Sequence, residues 1–226
     1  MDITIKNSWE ELTWKEYEQL EQVLSADIPS EYKTVNIVSI LTGKTVDELE
    51  SMPISQFQRY LPSLAFLETE PETHYHHFEY TINDRVYDFK GRIDEITTAQ
   101  YIDYRAYMEQ ENKDVIDLMS VFLIPKGHEY NDGYDMEQVK NDIGDMCWLD
   151  VRAAAFFFRA WLATYILTLK SYLTATMKST KKTLKTRQER RQLKQQIKEL
   201  ETSFNNSAYC LLCLESVNSQ TLPLTL

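Results

Sequence analysis

The chain has 226 residues, 43% of them hydrophobic and 26% charged, with a formal net charge of −11. That length holds one domain or two small ones, with enough chain to bury a core. Its five glycines (Gly43, Gly91, Gly127, Gly133, Gly144) stand too far apart for a GxGxxG fingerprint, a Walker loop or a GxSxG elbow, which excludes the usual phosphate cradles and the hydrolase nucleophile turn.

Few glycines and many charges predict helices joined by short connections. The opening Met1-Asp2-Ile3-Thr4 lacks the basic and apolar regions of a signal peptide, so a leader is not expected there. Helix signals begin at Leu12-Thr13-Trp14-Lys15-Glu16-Tyr17. Thr13 stands as an N-cap, Glu16 is placed to reach back to its N–H, and Leu12 and Tyr17 form a staple. The same device returns at Ile96-Thr97-Thr98-Ala99-Gln100-Tyr101, with Thr97 as cap and Gln100 closing the box.

Beyond each cap the elements run in the same order. An apolar run comes first, Ile37–Leu41 or Leu118–Phe122, and then a turn holding Gly43 or Gly127. A short amphipathic helix is predicted next, over Val46–Ser51 and Met136–Ile143. Each half closes on an apolar helix, Phe57–Leu67 and Trp148–Leu169. The expected fold is mainly α: two related helical units joined by a β-hairpin and followed by a long C-terminal helix. The divisions expected are 1–75, 76–92, 93–177 and a basic helical arm with tail, 178–226.

The hairpin is read from Phe78, Tyr80 and Ile82 alternating before Asn83-Asp84, and Arg85, Tyr87 and Phe89 alternating after it. A two-residue turn pairs Ile82 with Arg85, Tyr80 with Tyr87 and Phe78 with Phe89. Such a hairpin is marginal alone, so it must lie on the helices or join a neighbour, and its edges are candidate subunit contacts.

From Asp150 to Thr202 there is no glycine or proline, and one long helix is predicted to run into the arm. Its apolar stretch Ala153–Leu169 is shorter than the roughly 20 residues a membrane span needs, and Arg159 interrupts it, so no membrane association is expected. Leu193, Ile197, Leu200 and Phe204 form a short coiled-coil-like seam. Charge divides sharply here. Residues 1–177 hold 31 acidic and 15 basic side chains, a net of −16; residues 178–226 hold 9 basic and 4 acidic, a net of +5. The acidic body repels polyanions, so any DNA contact falls to the run from Lys178 to Lys198, which lacks aromatics for stacking on bases. Acidic body and basic arm also suit contact between copies.

Little in the chain points to catalysis. His74, His76 and His77 precede the hairpin without a third ligand at tight spacing, and read as a polar hairpin entry. Cys210 and Cys213 form a lone CxxC without a second pair, and Cys147 is distant; three cysteines make no secreted disulfide framework, which suits a reducing compartment. No Ser–His–acid or Cys–His set is arguable, and His128 lies in a loop with Tyr130 and Asn131. No enzyme, metal or cofactor is expected.

The segments Trp9-x-Glu11-Leu12-Thr13-x-x-x-Tyr17, Glu95-Ile96-Thr97-x-x-Gln100-Tyr101-Ile102-Asp103 and Phe156-Phe157-Phe158 resemble small virion-morphogenesis proteins of tailed bacteriophages, of the crAss-like, Bacteroidetes-phage type. The resemblance covers residues 9–170 as a pattern of elements and stops short of the basic arm. It implies a non-enzymatic structural or tail-assembly role in building a virus particle, and brings no catalytic or binding residues with it.

The function expected is therefore protein–protein contact with other phage structural proteins in the tail, neck or portal region, with self-association as a further mode. The protein would reside in the virion, or in the host cytoplasm during assembly. A transient tail-assembly chaperone absent from the mature particle is the alternative, and an accessory nucleic-acid-binding protein is a third. The residues expected at a partner surface are Trp148, Phe157, Arg159 and Trp161. Lys181, Lys182, Arg190 and Arg191 are expected to meet an acidic partner or, weakly, DNA through residues 178–198.

Overall fold

Threonine caps start three of the helices. In the computed structural model, which describes residues 5–71, 75–92, 95–110, 114–183, 193–199 and 202, Thr13, Thr45 and Thr97 each complete a reciprocal capping box. The threonine hydroxyl accepts from the N–H of Glu16, Glu48 or Gln100 at 3.2–3.3 Å, and the cap N–H donates back to that side chain at 2.8 Å. These boxes open α1 (Trp14–Ser25), α3 (Val46–Glu50) and α5 (Thr98–Glu109). The box at Thr45 adds a third to the two that were expected. Each cap contributes on the order of 1 kcal/mol.

The first half runs from a 3₁₀ turn (Trp9–Glu11) through α1, α2 (Ser30–Thr42), α3 and α4 (Ile54–Phe57). Helix α2 stops at Gly43, whose φ of +68° suits glycine and whose N–H donates to the Ser39 carbonyl at 2.9 Å. The apolar helix expected over Phe57–Leu67 is instead the end of α4 followed by a 3₁₀ segment, Leu61–Glu68. Pro62 has no N–H to donate, and α-helical hydrogen bonds cannot continue through it.

The hairpin forms in the expected register. Strands β1 (Glu79–Ile82) and β2 (Arg85–Phe89) pair Tyr80 with Tyr87 and Ile82 with Arg85, and the Phe89 N–H reaches the Phe78 carbonyl at 2.8 Å. Asn83 and Asp84 both take positive φ, +48° and +63°, as a two-residue turn of this hand requires. Tyr80, Ile82, Tyr87 and Phe89 are buried, while Phe78 is 55% exposed and departs from the expected aromatic face.

A third strand, β3 (Leu123–Pro125), pairs antiparallel with β2 and gives the order β1-β2-β3. It continues directly from α6 (Val115–Phe122), and every residue from Leu118 to Ile124 is buried. Gly127 then turns the chain at φ +87°, Asp135 caps α7 (Met136–Asp145), and α8 runs from Trp148 to Thr183. The fold is thus mainly helical, with a small antiparallel sheet between two helical halves.

The halves are not separate bodies. Among the described residues, one compact unit holds those up to Gly91 and from Glu95 to Ala155; a second holds Arg92 and those from Phe156 onward. Within the first unit the start of α1 is bonded to the junction of α7 and α8. The Trp14 N–H donates to the Met146 carbonyl at 2.9 Å, the Trp148 N–H donates to the Leu12 carbonyl at 3.0 Å, and Thr13 bridges Cys147 between them. Leu12, Leu20, Val38, Ile143, Val151 and Ala154 belong to the first unit's core. In the second unit, Ala163, Thr174 and Ile197 are buried.

Candidate interaction surface

Two internal clusters use aromatic and acidic side chains that composition alone could assign to function. The first surrounds Trp148, at the head of α8. Tyr17 projects from α1 and stacks on its ring, centroids 4.1 Å apart and planes parallel. Trp9 lies 5.4 Å away on another side, and the Arg152 guanidinium sits 5.7 Å from the ring centre, within cation–π range. The indole N–H donates to the Trp9 carbonyl at 2.7 Å. Only 2% of Trp148 is exposed. The expectation that it meets a partner is therefore corrected: its faces and its one donor are used inside the first unit. Burial, and then the hydrogen bond to Glu21, push the Tyr17 hydroxyl well above its ordinary pKa.

The second cluster centres on Asp142 of α7, a carboxylate only 1% exposed. Arg85 approaches both oxygens, at 3.0 and 2.7 Å; Asn83 and Gln138 each donate at 3.0 Å, and the Tyr87 hydroxyl donates as well. Burial alone would raise the Asp142 pKa. The donors from Tyr87, Asn83, Arg85 and Gln138 outweigh it and hold the carboxyl below its ordinary value. A carboxylate offers about four lone-pair sites. Five donor contacts leave none for a substrate, so this ion fastens the hairpin to α7.

The other sequence candidates for chemistry fall into packing roles where they are described. The His76 ring meets Phe78 edge-on at 4.5 Å and Phe89 at 5.0 Å; burial, then His77, lower its pKa. The Cys147 thiol donates to the Glu10 carbonyl at 3.4 Å, and burial raises its pKa. Among the described residues no three His, Cys, Asp or Glu side chains gather as metal ligands. His74, Cys210 and Cys213 lie outside the described residues.

Exposed apolar side chains also stand elsewhere, Tyr32, Ile54, Tyr75 and Ile102 among them; the candidate surface is on α8 beyond Ala155. Its exposed described residues from Phe156 to Ser179 are Phe156, Thr164, Leu167, Thr168, Ser171, Tyr172, Ala175, Thr176 and Ser179. None carries a charge. Phe156, Leu167 and Tyr172 are 51%, 40% and 68% exposed. Four of the hydroxyls bond within the helix: Thr164 donates to the Ala160 carbonyl, Thr168 to Thr164, Ser171 to Leu167 and Thr176 to Tyr172, at 2.8–3.0 Å. A threonine bonded in this way spends its donor on its own helix and turns its methyl to the surroundings. The face is therefore less polar than its composition suggests.

Of the residues expected at a partner surface, Phe157 is half-buried beside this face. Arg159 and Trp161 stand on α8, as do Lys181 and Lys182 in its last turn, with side chains outside the described set. Arg190 and Arg191 lie outside the described residues altogether, as does the join between α8 and residues 193–199. Sequence reading overlooked Phe156, Leu167 and Tyr172. Their signal was the repeat of uncharged residues every three or four positions, which a buried helix also gives. No helix among the described residues is long and apolar enough to cross a membrane. No protein-family model, curated protein or solved structure matches the chain.

Proposed function

We propose that the chain is a non-enzymatic assembly protein of a tailed-phage particle, acting through protein–protein contacts in the tail, neck or portal region. The run of exposed α8 positions beyond Ala155, uncharged among the described residues, is the observation that carries the binding part of this reading. An apolar face on a long helix is a recognition surface when a partner helix or groove covers it. The phage part is supported by the resemblance of residues 9–17, 95–103 and 156–158 to virion-morphogenesis proteins. The closed donor set around Asp142 is consistent with a role that needs no chemistry.

The same face favours one second reading, a transient tail-assembly chaperone that shields an apolar segment of another protein and then leaves. The protein would stay in the virion in the first case and in the host cytoplasm in the second. Mass spectrometry of purified particles separates them: presence at fixed stoichiometry supports the structural role, and absence despite abundance in infected cells supports the chaperone. The basic run from Lys178 to Lys198 allows a third role on DNA. Retention on DNA that falls steeply with salt and vanishes when residues 178–226 are deleted would support it.

A further inference from the structure

We draw no further inference here: the strongest candidate, the surface patch of exposed side chains Phe156, Leu167 and Tyr172 on α8, carries nothing beyond the reading above, because nothing in the structure shows what covers it.

Discussion

The Gln100 side-chain amide donates to the Val121 carbonyl at 2.9 Å while its oxygen accepts from the Thr97 N–H. One buried side chain, 1% exposed, thereby caps α5 and ties it to α6. Glutamate serves the equivalent position of the other two boxes, Glu16 and Glu48, because neither needs to donate. Gln100→Glu keeps the shape and the box but sets a carboxylate against a carbonyl. It is expected to cost about 2–3 kcal/mol in urea unfolding at pH 7. The loss shrinks as pH falls and the new carboxyl gains a proton to donate; an unchanged stability at pH 7 would show that the Val121 contact contributes nothing.

Asp142 makes the fold acid-sensitive. Its folded pKa lies below the unfolded value of about 3.9, so its contribution is fully present above that value and is lost as pH falls through the folded one. Asp142→Asn is expected to lose about 2–3 kcal/mol at pH 7, discounted because the Arg85 side chain is 50% exposed. The gap between wild type and variant should close below pH 4, read by thermal melts across a pH series. A gap of constant size would mean that the charge is not what holds the hairpin.

Trp148 and Phe156, two turns apart on α8, should respond oppositely. Trp148→Ala removes a packed indole and is expected to cost about 3–5 kcal/mol, with loss of the near-UV aromatic signal. Phe156→Ala removes a half-exposed ring and is expected to change stability by under about 0.5 kcal/mol while reducing incorporation into particles. Comparing melting temperature with particle content checks both.

Gly43 ends α2 at φ +68° with no atom within 4 Å of a built Cβ. Gly43→Ala therefore meets strain without a clash, and a loss of about 1 kcal/mol is expected in denaturant unfolding. Gly43→Asn, which tolerates this region better, should recover part of it.

The local signals were legible. Asn83-Asp84 between alternating aromatics specified turn, register and pairing, because a two-residue loop leaves one way to align the strands. Thr13 and Thr97 announced their helices through side chains three residues away. What escaped was set by distance in the chain. Strand β3 is three residues that continue an apolar helical run, with no alternation to betray it. Asp142 gathers donors from Asn83, Arg85 and Tyr87, a grouping that no spacing encodes. Trp148 looked like a contact residue because aromatic periodicity marks a helix face without saying whether the chain itself covers it. The exposed stripe of α8 was hidden for the same reason.

The slot between Trp9 and Tyr17 is filled by an indole 139 residues further along than Trp9. In a chain emerging from the ribosome this slot stays unfilled until Trp148 has been made. During that interval Trp9, Tyr17 and the carbonyl of Leu12 face water or a chaperone, and α1 lacks the bridge that pins its start. Completion of the first unit is thus a late event in synthesis, and α8 begins where that event occurs. The helix offered for assembly extends from the residue that closes the body, so its binding face emerges only as the body becomes able to fold.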